Sequence, residues 1–536
     1  MGRALSLAVI FFLVLLPLGV GGSTLLQWPA FPQEFVQQVQ WQSWLQSAFT
    51  SFIFTIGLIL AVCYLSLWLG QRITAGLSSS RIAPLLALPH AALAVGLMVL
   101  LSPSGWLVRL VHSLFELFPS PPAHWWIADK SLVTMAGVLI IKEVPFLLLM
   151  IAAQRDQLPI QRWQTQAQSM GYSERRCWWL VVVPALLPRL KFPLFAIAIY
   201  TLSVVDIALM VGPNTPPLLA PRVHEASLRF SDLAGLEAWL GQWLMIALGA
   251  ALFAAVAINQ SVYRRFALNA LGRPPSHSVQ QPVGSGFGSQ LLLWLCGLAV
   301  LALIVQSVAG VWFYPELWPQ QWSLERWMSE WPYAWPLLQN SLWLALASAA
   351  VGVIGALLVL ERQRSQQKKA LGWLPLLVLL IPQLPMVLGW QRALGQDSGW
   401  LWLLWSHAAF TFPYAYLVLH GAYISFPSRW LYQAQSLGHS PFNAWLHVLL
   451  PQLRGSVALA FAVGVAVSIA QYLPTLWLAG VSYPTVTTET VSLAAGGDWR
   501  MASVYAVLQA LIPVLLLVWA SQQGNEQRWK RKHVRN

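Results

Sequence analysis

The stretch Arg162–Pro184 reads RWQTQAQSMGYSERRCWWLVVVP, and Arg429–Pro451 reads RWLYQAQSLGHSPFNAWLHVLLP. Every matched pair lies 267 positions apart (429 − 162 = 267), and 11 of the 23 positions are identical. In a chain of 536 residues the two copies fall at the same place in two halves of about 268. The pattern reads as one module duplicated and fused, with a first half over residues 1–268 and a second over 289–536. Residues 269–288 read as a flexible cytoplasmic linker, because Gly, Pro and Ser dominate from Gly272 to Ser289.

Composition sets the surroundings of this module. With 57% hydrophobic residues, 9% charged and 31 Trp, there are too few charges to cover a water-soluble domain of this size. Apolar stretches of about 20 residues are long enough to span a bilayer as helices. We read twelve, centred within Ala4–Gly21, Gln46–Leu69, Pro84–Leu101, Val133–Ala153, Phe192–Val211, Leu240–Val262, Leu291–Phe313, Leu337–Leu360, Gly372–Trp390, Trp400–Ile424, Val457–Leu478 and Ser503–Ala520. The expected fold class is all-α, a polytopic membrane protein of about 12 transmembrane helices in two homologous six-helix halves. Trp and Tyr cluster near the span ends, where amphipathic rings favour the water–lipid boundary.

With a cytoplasmic N-terminus, 23 of the 31 Lys and Arg fall in cytoplasmic segments, 7 outside and Lys142 within a span. That asymmetry predicts cytoplasmic N- and C-termini and places both repeated segments in the cytoplasm. Met1–Ser23, with one arginine, an apolar core and Gly21–Gly22, also has the makeup of a cleavable signal, whose removal would leave the other orientations unchanged. The net charge of +13 does not point to nucleic acid. Its residues lie in short membrane-flanking connections and the tail Arg528, Lys530, Arg531, Lys532 and Arg535, where orientation and anionic lipid headgroups account for them. Cys63, Cys177 and Cys296 are scattered and form neither a disulfide framework nor a metal set.

Within each copy, Trp163, Ala167 and Met170 recur at i, i+4, i+7, as do Trp430, Ala434 and Leu437, so each trio marks one helix face. Gly171 or Gly438 then ends the helix in a left-handed turn. Ser173 or Ser440 is placed to cap a second helix, with Glu174 or Pro441 suited to its first turn. That helix runs through Trp178 or Trp445 to Pro184 or Pro451, and Tyr172 and His439 are expected to be exposed neighbours of the turn. An amphipathic helix lying on headgroups is the plainer alternative. Lipid contact alone, however, demands no glycine, serine and proline at identical spacing in two otherwise different halves.

The copies resemble the cytoplasmic EAA loop of ABC importer permeases, whose pattern is Glu-Ala-Ala, three residues, Gly, nine residues, then Ile-x-Leu-Pro. The third position matches Ala167 and Ala434, the glycine Gly171 and Gly438, the aliphatic pairs Val181 with Val183 and Val448 with Leu450, and the proline Pro184 and Pro451. The glutamate is replaced by Thr165 and Tyr432 and the first alanine by Gln166 and Gln433. The runs AQSMG and AQSLG, with Ser169 and Ser436 at their centres, look most like the branch with two fused permease halves, the iron(III)- and thiamine-type systems. Pro145 and Pro413, in the fourth and tenth spans, extend the likeness. The resemblance implies a transport subunit of the bacterial inner membrane whose loops each present a coupling helix to an ABC ATPase subunit. Two ATPase copies and a periplasmic substrate-binding protein would be its partners. The chain has no Gly-Lys dipeptide, hence no loop of the kind that cradles ATP phosphates, and no catalytic constellation or cofactor motif.

Polar side chains inside spans are costly and favour a protein interior or a water-filled path. Lys142 with Glu143, Asp206, Asn340, His407 and Gln471 fit that description, and Glu143, Asp206 and Gln471 are the candidates for the translocation path. Glu143 and Asp206 also keep in view an alternative, a secondary transporter driven by an ion gradient, which would need no cytoplasmic loops of fixed geometry. Thiamine-like compounds, iron(III), polyamines and oxyanions all fit the sequence as substrates. The orientation is open to direct test: reporter fusions near Ser227 and Asp397 are expected to read as periplasmic, and fusions near Ser276, Gln366 and the C-terminus as cytoplasmic. A periplasmic C-terminus would overturn this topology.

Overall fold

A computed structural model describes residues 2–27, 29, 33–72, 88–123, 125, 130–155, 158–271, 287–366, 372–395, 398–480 and 482–533. Among these the architecture is all-α, with two isolated β-bridges and no strand. Most of the expected linker, residues 272–286, lies outside the described residues, as do positions 84–87 of the third expected span.

Among the described residues, ten helices are long and apolar enough to cross a membrane, and a pair, Leu374–Leu380 with Gln383–Leu394, makes an eleventh candidate bent by 96°. The expected tenth span forms as one helix over Trp400–Ile424; its three Trp, three Tyr and two His lower its hydropathy without shortening it. The helices used below are, in chain order, α1 (Gly2–Ile10), α2 (Leu16–Leu26), α3 (Trp41–Arg72), α4 (His90–Leu101), α5 (Leu132–Arg155), α6 (Ile160–Ser169), α7 (Glu174–Cys177), α8 (Val183–Ser203), α9 (Asp206–Val211), α10 (Leu219–Leu228) and α11 (Asp232–Leu271). They continue as α12 (Phe287–Val308), α13 (Glu325–Gln366), α14 (Gln383–Leu394), α15 (Trp400–Ile424), α16 (Ser428–Ser436), α17 (Pro441–Ala444), α18 (Leu450–Ile469), α19 (Val486–Ala495) and α20 (Trp499–His533).

Two expected spans are interrupted. The fifth stops at Ser203, where Val204 turns extended (ψ 123°), and restarts as the short α9. The eleventh stops at Ile469 and resumes as a π-helical turn at Thr475–Ala479. Hydropathy continues across both breaks because Val, Ile and Leu flank them, so an apolar run alone does not reveal where the backbone leaves the helix.

Proline shapes the helices that do continue. In a π turn each carbonyl bonds the N–H five residues on. For Phe12, in the π turn Phe11–Leu15, and Trp179, in the π turn Trp178–Val182, that residue is Pro17 or Pro184, which has no N–H. Side chains supply the missing donors: Trp405 Nε1–H donates to Phe12 O at 2.7 Å, and Tyr263 Oη–H to Trp179 O at 2.8 Å. Trp390 Nε1–H adds a bond to Pro17 O at 2.8 Å.

These bonds tie the first helix to distant sequence. The run α1–α2 packs on α13, α14 and α15, and α12 in turn packs on α4 and α20. The first apolar segment thus packs against helices from late in the sequence. The contacts are close because small residues face each other: a β-carbon on Gly389 would overlap the Gly21 carbonyl, and one on Gly96 the carbonyl of Ala299. Elsewhere the two ends of the chain are arranged alike. α3 packs with α5 and α8, as α13 packs with α15 and α18. Ser51 Oγ accepts the first amide of α10 from Leu219 at 2.7 Å, and Ser341 Oγ accepts that of α19 from Val486 at 2.9 Å, each satisfying an otherwise orphaned helix-start donor. Gly389→Val is expected to lower the thermal midpoint of the purified chain, by about 1–3 kcal/mol of overpacking. Gly22→Val, at a site with nothing within 4 Å of the new β-carbon, is expected to leave it nearly unchanged.

Candidate functional site

The two repeated segments fold into the same helix–turn–helix. α6 and α16 each end on a glycine with positive φ, 81° at Gly171 and 91° at Gly438, a conformation that costs glycine little. The turn is closed by paired backbone bonds. Tyr172 N–H donates to Ala167 O at 2.9 Å and Gly171 N–H to Gln168 O at 3.0 Å; His439 to Ala434 O and Gly438 to Gln435 O repeat them at 3.1 and 3.0 Å. Ser173 Oγ then accepts from Arg176 N at 3.3 Å and Ser440 Oγ from Asn443 N at 3.1 Å, capping α7 and α17. Pro184 and Pro451 stand in the first turn of α8 and α18, each directly after a π turn.

Each stripe of the first helix divides. Ala167 and Ala434 are buried and Trp163 packs against the core, but Met170 and Leu437 are 64% and 82% exposed at the tips. Ser169 and Ser436 spend their hydroxyls on their own helices, on Gln166 O and Tyr432 O. Beside the second tip an open groove of about 400 Å³ is lined by Trp430, Gln433, Ala434, Leu437, His439 and Val448. Tyr172 is not a free neighbour of its turn: its hydroxyl donates to Leu271 O at 2.9 Å, tying the first hairpin to the end of α11. His439 is exposed, as expected.

The hairpins are rooted differently. Trp178 donates to a backbone carbonyl, Leu67 O, at 3.1 Å, and Arg155 lies 5.5 Å over its ring while donating to Gly70 O. Trp445 instead donates to Tyr423 Oη at 2.7 Å, Tyr423 donates to Glu361 Oε2 at 2.7 Å, and Arg364 binds Glu361 Oε1 at 2.6 Å. The sequence reading missed this chain. Its signal was a tyrosine inside an apolar span, whose hydroxyl needs a partner.

Of the candidates for the path, Glu143 and Asp206 come together. His90 Nε2 is 3.4 Å from Glu143 Oε1, and its ring lies 4.9 Å from that of Tyr200. Asp206 opens α9 at the break, where its carboxylate lies near the amides of the helix start and interacts electrostatically with His90. Lys142, one position before Glu143, donates to Leu88 O. Gln471 lies in the second break but pairs with Gln383, at 3.2 Å; its neighbour Tyr472 lies within electrostatic range of Asp206. His407 is a satisfied interior residue, bonded to Ser468 and Thr475 at 2.9 and 3.1 Å, and Asn340 donates to Pro484 O. At the opposite end of the helices from the hairpins, a cavity of about 570 Å³ lies between Met98–Arg109 and Gly496–Arg500.

No family model matches the chain. It is 29% identical over 466 residues to the inner membrane ABC transporter permease protein YnjC of Escherichia coli (strain K12), covering 86% of this chain and 83% of that one. Shorter similarities reach the spermidine/putrescine transport system permease protein PotC of Escherichia coli (strain K12), 26% over 190 residues (34% and 72% of the two chains). A PotC homolog of Mycoplasma genitalium matches at 27% over 196 residues (35% and 68%). These relatives are permease subunits, not enzymes, and in such systems ATP is hydrolysed by a separate subunit. With about ten apolar helices and this similarity over most of its length, the chain is a multi-pass inner-membrane permease subunit of an ABC importer.

Proposed function

We propose that the two hairpins are the coupling elements of this permease, each seated in a groove of one of two ATPase copies. The carrying observation is the repeated tip: a glycine with positive φ fixes an exposed apolar residue, Met170 or Leu437, at the same place in both. An apolar knob on an otherwise polar helix suits a partner's groove. In this reading the hairpins and both termini are cytoplasmic, and the cavity lined by Arg109, Asp498 and Arg500 faces a periplasmic substrate-binding protein. The halves 1–268 and 289–536, joined by the linker 269–288, enclose one path. AQSMG, AQSLG and the fusion itself favour the iron(III)- and thiamine-type branch; the PotC relatives add polyamines to the solutes to be tried.

ATPase closure would push each hairpin along its own membrane helix. α8 starts at Val183 and ends near Asp206, and α18 starts at Leu450 and ends near Tyr472, so a continuous helix of 21 or 20 residues joins each hairpin to the buried centre. Hence Gly171→Asp with Gly438→Asp is expected to leave the chain inserted and near normal abundance. Copurification of the cognate ATPase and transport should both fall, because the substitution strains the left-handed turn and puts a charge into a close-fitting surface. His439→Ala, at an exposed position, is the mild control. Full transport by the double variant with its ATPase present would remove the hairpins from the coupling role.

The unequal roots generate a second test. Tyr423→Phe deprives Trp445 of its acceptor and Glu361 of a donor, a local loss of about 1–3 kcal/mol. Amide exchange over 428–449 is expected to quicken while that over 160–182 stays unchanged, since Trp178 rests on backbone. Equal quickening in both hairpins would refute the asymmetry.

A further inference from the structure

We propose that the cavity at the end of the helices away from the hairpins binds an oxyanion, the phosphate or sulfate group of a free solute or of a lipid headgroup. The proposal rests on the permease reading only for placing this end on the outer side of the membrane, and it gives the cavity a ligand class.

The cavity, of about 570 Å³, is walled from early and late in the chain. Ser104 and Arg109 come from the segment after α4, Gln306 and Trp312 from α12 and the loop behind it, and Gly496–Arg500 from the turn into α20. Four cations gather around it. Arg109 is only 7% exposed yet belongs to the wall. Its Nε donates to Ser104 O at 2.8 Å and its Nη1 to Phe313 O and Glu316 O at 2.9 and 2.7 Å, while the guanidinium lies 4.7 Å from the centre of the Trp312 ring. Arg500 is an exposed wall residue. Arg326 stands behind the wall, donating to the carbonyls of Gln306 and Ala309 at 3.0 and 2.8 Å. Lys130 Nζ donates at 3.4 Å to Ala495 O, next to Gly496.

Each of these bonds ends on a backbone carbonyl. Carbonyls satisfy N–H donors but carry no net charge, and among the described residues none of the four cations forms an ion pair with a carboxylate. Arg500 is instead within electrostatic range of both Arg109 and Arg326, a like-charge arrangement that an anion between them relieves. The nearby carboxylates leave the cations in excess. Asp498 is in the wall, but its Oδ1 accepts from Met501 N at 2.9 Å and so caps α20. Glu316 is within electrostatic range of Arg109, and Glu330, outside the wall, accepts from Tyr505 at 2.7 Å.

Donors also remain for a ligand. Arg109 Nη2 makes no hydrogen bond among the described residues, and neither does the Arg500 guanidinium. A guanidinium presents paired N–H groups in a plane, a fork that matches two oxygens of a phosphate or sulfate. The start of α20, a helix of 35 residues, adds the positive end of its dipole at the same wall.

The test uses the purified full chain in detergent. Radiolabelled sulfate and phosphate are the probes in equilibrium dialysis, and native mass spectrometry counts retained phosphatidylglycerol. Saturable oxyanion binding is expected, weaker as sodium chloride rises and unchanged by putrescine. Arg500→Gln should weaken it about two- to fivefold, the worth of one solvent-exposed charge, and Arg109→Gln about tenfold or more, since that charge is buried. Arg229→Gln, at an arginine that pairs with Glu237 outside the cavity, should change nothing. Free-anion binding that added phosphatidylglycerol leaves unchanged assigns the site to a solute. Displacement by that lipid, or retained lipid that is lost in Arg500→Gln, assigns it to a headgroup, and either result supports the oxyanion class. Absence of saturable binding for both probes together with no variant-sensitive lipid, competition by putrescine, or equal behaviour of Arg500→Gln and Arg229→Gln would overturn the proposal. Arg109 also ties down the loop at Phe313–Glu316, so if Arg109→Gln does not elute as a monodisperse protein, Arg500→Gln decides. ATPase copurification, read on the same proteins, reports on the hairpins separately. Retained copurification without anion binding removes the site alone; anion binding by a chain that captures no ATPase removes the coupling reading alone.

Discussion

Every backbone carbonyl within a bilayer must find a donor inside the protein, because hydrocarbon offers none and an orphan costs several kcal/mol. Two prolines, Pro17 and Pro184, each leave such a carbonyl five residues earlier, and a side chain from a remote helix supplies the donor. The Trp405 bond to Phe12 thereby fastens the first helix to the last third of the chain. The Tyr263 bond to Trp179 likewise holds the start of α8 against α11. Facing glycines let these helices approach closely enough for the bonds to form. Local helix defects thus become long-range joints.

The same economy of donors governs the hairpins. Paired turn bonds and a serine cap satisfy most of the amides that a sharp helix-to-helix reversal would otherwise expose. Their backbones are therefore nearly superimposable in pattern while their anchorage differs, one on carbonyls and one on a Trp–Tyr–Glu–Arg chain. A partly buried charged chain of this kind is sensitive to the loss of its inner members, Tyr423 above all, because the groups bonded to it would lose their partner. In the coupling role proposed, the second hairpin would follow α13 and α15 more closely than the first follows α3.

At the centre, the breaks after α8 and α18 do what a continuous helix cannot: they turn backbone and side chains toward the place where early and late helices meet. Glu143 and Asp206 are both buried there, with His90 3.4 Å from Glu143, and such partners offset part of the desolvation cost.

The sequence by itself determined the all-helical membrane class, since 57% apolar composition and twenty-residue runs leave no alternative. It also determined the hairpin turns, because glycine, serine and proline act on the backbone within a few residues of themselves. The comparison to ABC permeases agrees with the family that those residues resemble. Three things were decided only in the tertiary structure: the bend and breaks in three expected spans, the packing of α1–α2 onto late helices, and the pairing of Gln471 with Gln383. Each depends on which distant side chain completes a local defect. Hydropathy averages over such defects, and the partners lie up to 393 residues away, so the pattern of apolar residues carries no trace of them.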